Sequence, residues 1–280
     1  MQNYVWYLIF AIFSLAIFIY TFWKKRDHKL FVLYFFTAGL MYGFEYVILV
    51  LFNSYVYHPG ILKNPYFDNI MGSIFSNAIY IPSAAQFIAA FRLKLIWVVL
   101  ITGIFLGIEW LFLALGIYKH FWWSTLYTAI GLPTFFLISR QWYILIRKTY
   151  NSFVQILTLY FISISILANF FFILAAFLKT HYFSIGWFEN HTRDHVAFDA
   201  FYLSLLSIIL VVLVYFRLNI LFKSLGIILM LISNLILLKL NIMHVLNKWT
   251  LVDFAVVYVL GLVIILHLNR LLHKNNLLYP

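Results

Sequence analysis

The chain reads as an all-α protein that crosses a membrane about nine times, and three observations carry that reading. Hydrophobic residues make up 65% of it and charged residues only 10%, against about a quarter charged in a soluble domain. Apolar runs of 18 or more residues recur, each long enough to cross a hydrocarbon core of about 30 Å. Alternating ten-residue strand segments are absent, and in lipid only helices and closed barrels satisfy their own backbone.

Apolar runs between charged breaks place spans over residues 3–23, 30–53, 69–91, 95–115, 122–139, 152–178, 196–216, 222–238 and 250–268. The N-terminus MQNYVWYLIF has no basic lead-in and no small-residue cleavage site, so it reads as a retained first span. Trp6, Trp23, Trp97, Trp122, Trp123 and Trp249 fall near expected span ends, where aromatic anchors belong. The connections after spans 1, 3, 5 and 7 and the tail hold 13 Lys and Arg, and the alternate connections hold 6. That bias predicts an outside N-terminus and a cytoplasmic C-terminus in a cell membrane, a bacterial inner membrane by preference. The net charge of +11 is spread singly, which argues against nucleic acid and for the lipid bilayer as partner. A homo-oligomer or a membrane partner subunit stays open. Zero cysteines exclude disulfides and thiolate sites.

Short self-similarities suggest a tandem parallel repeat. LYFF at 33–36 matches LYFI at 159–162, Phe67–Asp68 matches Phe198–Asp199, and His120 with Trp123 matches His244 with Trp249. The expected organisation is an N-terminal span with its basic loop (1–29), a first four-span unit (30–148), and a second four-span unit with a short tail (149–280). Units with an even number of spans run the same way and are related by an axis along the membrane normal.

Depth separates cheap carboxylates from costly ones, since an ionised group at mid-membrane costs roughly 3 kcal/mol on insertion scales. Asp68, Asp199 and Asp253 start spans and read as helix caps. Glu45 and Glu109 lie too deep to cap and read as ion-pathway or ligand groups. Both follow a repeated Gly-x-x-x-Gly-x-Glu, in GLMYGFE and GIFLGIE. Paired glycines allow close helix contact, so spans 2 and 4 are expected to pack through Gly43 and Gly107, with the carboxylates turned toward spans 3 and 5. Asp68, Gly72, Ser76, Tyr80 and Ser83 form a polar stripe on span 3, with Asn77 nearby, and GLP at 131–133 marks a kink in span 5. In the second unit Phe171 stands where Glu45 does and Ser233 where Glu109 does, which makes that unit mostly scaffold.

His58, His120, His181, His191, His195 and His244 gather with the acids on the outer rim. His191, His195 and Asp199 recur every fourth residue and share one face if span 7 starts early. Together with His120 and His244 they are candidate ligands for a divalent metal; a solvated helix entrance and a pH-responsive cluster are the alternatives.

His195-x-x-x-Asp199 leading a span, Ile108–Glu109–Trp110, and the stretch Gly116–Trp123 (GIYKHFWW) resemble a family of small multi-spanning membrane proteins from endospore-forming bacteria. Members of that uncharacterised family show an Asn-His-x-x-x-Asp start, an Ile-Glu-Trp span and a Gly-x-Tyr…Trp-Trp loop. Here the first unit has Asp68 with Asn64 rather than His, and the second has His195 and Asp199 without Glu-Trp. The likeness covers about half the chain. It implies a bacterial cytoplasmic membrane and a unit of four to five spans, and no activity. The functional expectation is a channel, transporter or sensor for a small ion or solute, with Glu45, Glu109, Asp68, Ser76, Asn77 and Tyr80 lining an outward polar cavity. A metal-dependent membrane enzyme acting on lipid or an outer-face substrate is the alternative, and an accessory subunit the third.

Overall fold

A computed structural model describes residues 2–148 and 151–273. Nine helical rods are present among them: α1 (Asn3–Lys25), α2 (Lys29–Leu51), α3 (65–90), α4 (Leu95–Ala114), α5 (Thr125–Lys148), α6 (Ser152–Phe177), α7 (His191–Tyr215), α8 (Ile220–Lys239) and α9 (Leu251–His273). All but α3 meet both the length and the hydropathy needed to cross a membrane. The chain is therefore a multi-pass integral membrane protein. The helices form two compact units, one within 2–148 and one over 151–273, and α1 belongs to the first rather than standing apart.

Helix starts follow local chemistry. Asn64 accepts hydrogen bonds from the backbone N–H groups of Tyr66 and Phe67, with Pro65 at the first helical position of α3. Asn190 does the same for Thr192 and Arg193, which starts α7 at His191. Pro133 lies inside α5 without ending it, so that helix runs to Lys148, past the expected 139.

In unit 1, α3 packs against α1, α2 and α5, burying Ala85, Ile88, Ser83 and Gln86. In unit 2, α6 packs along α7 and α9, with Leu159, Ile162, Leu210 and Ile265 fully buried. The opposite faces carry exposed Leu, Ile, Val and Phe, as a lipid-facing surface should. Between such helices it is close packing and hydrogen bonding, rather than the exclusion of water, that holds the contact.

The expected glycine seam between α2 and α4 is not formed. α2 packs on α3 and α5 instead, and a Cβ at Gly103 or Gly107 would meet nothing within 4 Å. The α4 glycines face outward because Glu109, on the other side of the helix, is drawn inward by its polar partners.

Two features left no trace in the apolar pattern. β1 (Tyr55–Tyr57) pairs antiparallel with β2 (Tyr118–His120), and β3 (His181–Phe183) pairs with β4 (Met243–Val245). Each hairpin-like pair ties the α2–α3 type of connection to the α4–α5 type within its unit. π-helical turns occupy 46–51, 75–80 and 173–177, a geometry that recurs at functional positions.

Candidate functional site

The two units share one device for seating a hairpin on a helix. Asp68 accepts from the N–H groups of Gly60, Ile61 and Leu62 at 2.8, 2.7 and 2.9 Å. Asp194 accepts from Ile185, Gly186, Trp187 and Phe188 at 2.6–3.2 Å. Gly60 and Gly186 turn these loops with φ of +71° and +83°, where a side chain would be strained. One residue after each Asp, Asn69 accepts from Tyr57 N–H at 2.8 Å and His195 Nδ1 accepts from Phe183 N–H at 3.1 Å. These pairs have an offset of 126 residues (Asp68 to Asp194). That register replaces the Phe67–Asp68 to Phe198–Asp199 match. Asp68 is thus a loop staple rather than a lining group, and Asp194 does the same work in unit 2.

Beneath the first hairpin lies a buried carboxyl–tyrosine centre. Glu45, 5% exposed, sits at the last α-helical turn before the π turn of α2. Tyr55 donates its hydroxyl to Glu45 Oε1, and Ser73 donates to Oε2 at 3.3 Å. Asn77 donates to Ser73 O and Oγ at 3.0 and 3.2 Å. Tyr57 and Tyr118 stack at 4.7 Å, with Tyr55 5.3 Å from Tyr118 and 5.5 Å from Trp123. Burial pushes the hydroxyls of Tyr55, Tyr57 and Tyr118 well above the usual tyrosine range, and the Glu45 carboxyl is the next cause for the first two. They therefore remain protonated donors. Glu109, 9% exposed, accepts from Thr125 Oγ1 at 2.9 Å. His120 Nε2 lies 3.0 Å from Glu109 Oε1 but off the hydrogen-bond axis. Glu45 turns toward α3 through Ser73, and Glu109 toward α5 through Thr125. Tyr80 turns the other way and donates to Tyr7 O at 2.7 Å, while Tyr7 donates to Ile117 O at 2.8 Å. Ser76 is half-buried and reaches Tyr57.

Unit 2 carries a buried polar centre of its own, so it is more than scaffold. Asp199 is 9% exposed, and its Oδ1 has no hydrogen-bond partner among the described residues. The His181 ring lies 5.6 Å from that of His195 and 5.3 Å from Phe171. Burial, reinforced by His195, holds the His181 imidazole down to about 3, so it is neutral. His181 Nδ1 meets Thr180 Oγ1 at 2.9 Å, and Nε2 has no hydrogen-bond partner among the described residues. Asn234 Oδ1 accepts from Tyr202 at 2.6 Å and from Tyr258 at 3.1 Å.

The metal candidates separate. His191 is exposed at the first turn of α7, while His195 and Asp199 point into the unit. His244 stacks on Tyr182 at 4.5 Å, and His120 accompanies Glu109. Among the described residues, no three His, Cys, Asp or Glu side chains converge as a metal would need. The sequence reading missed Tyr55, Tyr57, Asn69 and Asn234, and it placed His181 only on the outer rim and Tyr118 only within the Gly116–Trp123 stretch. A usable signal was present: Asn-x-x-x-Asp at 64–68 recurs at 190–194, and Phe91–Arg92–Leu93 recurs at Phe216–Arg217–Leu218.

No protein-family model, no curated protein and no solved structure matches the chain.

Proposed function

We propose that this membrane protein handles a small cation, the proton foremost, at the hairpin end of its first unit, with Glu45 and Glu109 as the exchanging groups. The observation that supports this is the company Glu45 keeps. Asp27 has Arg147 at 3.4 Å and Glu109 has His120 at 3.0 Å. Glu45 has only hydroxyl and amide neighbours and no ion pair among the described residues. A buried carboxyl without a fixed counter-charge is costly, and within a membrane such groups mark ion routes and proton relays. Tyr55 and Ser73 can serve it in either state, donating to the carboxylate or accepting from the acid.

In this reading the hairpin end faces outward, the C-terminus is cytoplasmic, and the membrane is a bacterial cytoplasmic one. The excess of Lys and Arg at the opposite end and the family resemblance support it. The matched staples and turns of the two units support descent from one duplicated four-span element.

The test is proton or monovalent-cation flux in proteoliposomes. Wild-type protein carries flux, Glu45→Gln loses it, and Glu109→Gln reduces it. Equal flux from wild type and Glu45→Gln, or no flux above empty vesicles, overturns the assignment.

A further inference from the structure

Cation flux through the first unit needs polar footing between Glu45 and the far end of its helices, and α3 carries it. α3 is the one rod below the hydropathy of a spanning helix, yet it lies against α1, α2 and α5. Its polar residues do not stop at the depth of Glu45. Ser73 and Asn77 sit beside that carboxyl. Ser83 and Gln86 follow, the last of them roughly 20 Å further along the helix than Ser73.

The step between these two pairs is bridged. Pro82 has no N–H to give Ala78 O, and Tyr34 of α2 donates its hydroxyl there at 2.6 Å. The same hydroxyl stands beside Ser83, whose Oγ has no hydrogen-bond partner among the described residues. The π turn over 75–80 falls in this step, where carbonyls leave their α-helical pairing.

Gln86 is the telling residue. It is fully buried, and neither Oε1 nor Nε2 has a hydrogen-bond partner among the described residues. An amide buried in that state is costly. Packing does not call for it, as the matching helix of unit 2 shows. The register of the two units passes from 126 at Asp68 to 125 at Phe91. At either offset Ser83 falls on an isoleucine (Ile209 or Ile208) and Gln86 on a valine (Val212 or Val211). α7 crosses its own unit without an asparagine or glutamine anywhere along its length.

We propose that Ser83 and Gln86 form an inner station for the cation that Glu45 exchanges, reached past Tyr34. The station rests on the reading of Glu45 given above. Hydroxyl and amide oxygens take a monovalent cation or a hydronium ion, and the amide N–H₂ holds the oxygen of an accompanying water. Neither group brings a charge of its own. The station therefore binds weakly enough to let go, as a conducting site must, while Glu45 selects for positive charge.

The chain has no cysteine, so single-cysteine variants report water access without background. In phosphatidylcholine vesicles, Ser83→Cys and Gln86→Cys should react with a small cationic methanethiosulfonate. Ala85→Cys and Ile88→Cys, equally buried on the same helix, should stay protected. Gln86→Met, close to glutamine in size, should keep or raise the thermal midpoint. It should lower proton flux at least about tenfold, the share of one hydrogen bond to a charged group. Protection of Gln86→Cys equal to that of Ile88→Cys overturns the station. So does undiminished flux in Gln86→Met; where Glu45→Gln has lost its flux in the same vesicles, Glu45 keeps its assignment and only the station falls. No flux in the wild-type protein overturns both. A lower midpoint in Gln86→Met would mean that the amide serves the packing of α3, and the station would fall.

Discussion

Glu45 on α2 and Asp199 on α7 are both buried carboxyls beneath a two-stranded hairpin, yet they hang from different helices of their units. At the shared register, Ser73 occupies in unit 1 the place of Asp199, and Phe171 occupies in unit 2 the place of Glu45. Tyr55, which donates to Glu45, is matched by His181, which meets Phe171 edge-on. From Phe91 onward the offset is 125, as Phe91–Arg92–Leu93 and Phe216–Arg217–Leu218 show, so Glu109 is matched by Asn234 rather than Ser233, and the amide holds two tyrosine hydroxyls where the carboxylate holds a threonine. What stays constant is the support: the Asn cap, the Asp staple, the left-handed glycine and the bracket from helix to strand. What moves is the acid. A centre fed from several helices can keep a carboxyl at one depth while exchanging which helix supplies it, provided the hairpin above stays seated.

The seating itself gives the largest expected effect. A Cβ on Gly72 would overlap Tyr57 Cβ, so Gly72→Ala must lift the hairpin off α3 and should destabilise unit 1 by about 2–3 kcal/mol. Unit 2 has Phe198 at that position, with its ring 5.1 Å from Phe183. There the opposite change hurts: Phe198→Ala removes packing worth about 3 kcal/mol. Thermal unfolding of the two variants checks both signs. A neutral Gly72→Ala would mean that the two hairpins are not seated alike.

A smaller effect separates the units by pH. His181 is held neutral down to about 3, against an ordinary value of 6.5. Between those limits the unfolded chain binds a proton that the folded chain refuses, so stability rises with pH there. It is fully present above pH 6.5 and is lost as pH falls toward 3, by up to ~1.4 kcal/mol per pH unit. Tyr55, the matching residue, takes up no proton in this window. Unfolding midpoints of wild type and His181→Phe between pH 7.5 and 5 test this: the wild-type curve should slope and the variant's should flatten. Parallel curves would remove His181 as the source.

The helices were legible because a membrane span announces itself by length and apolarity alone, although α7 starts at His191 behind its Asn190 cap, before the expected 196. The hairpins were not. Three-residue strands are too short for an alternating pattern, and Tyr55, Tyr57 and Tyr118 look like interfacial anchors in a chain with 20 tyrosines. The π turns change backbone pairing without changing composition. The depth of Glu45 and Glu109 was readable, because burying a carboxylate needs a reason at any register. The partner of Glu45 was not, since Tyr55 reaches it only after the chain has left α2 and doubled back. The expectation of a repeat rested on short matches. A shared Phe–Asp pair drew Asp199 into register with Asp68, although Asn190 and Asp194 repeat the cap and staple at the spacing of Asn64 and Asp68.

The smallest effect concerns the glycines that suggested a helix seam. Gly103 and Gly107 on α4 face open space, whereas a Cβ on Gly226 of α8 would lie 2.5 Å from Leu213 Cδ1. Replacing glycine by alanine in an open helical position removes backbone freedom from the unfolded chain and adds no clash, so Gly107→Ala should stabilise by a few tenths to about 1 kcal/mol. Gly226→Ala must displace a leucine end and should come out neutral to ~1 kcal/mol unfavourable. The contrast is read from thermal midpoints in detergent at two protein concentrations. If Gly107→Ala destabilises instead, and more so at high concentration, the α4 face is covered by a helix of a second copy, because among the described residues nothing lies close enough to object to a methyl group there.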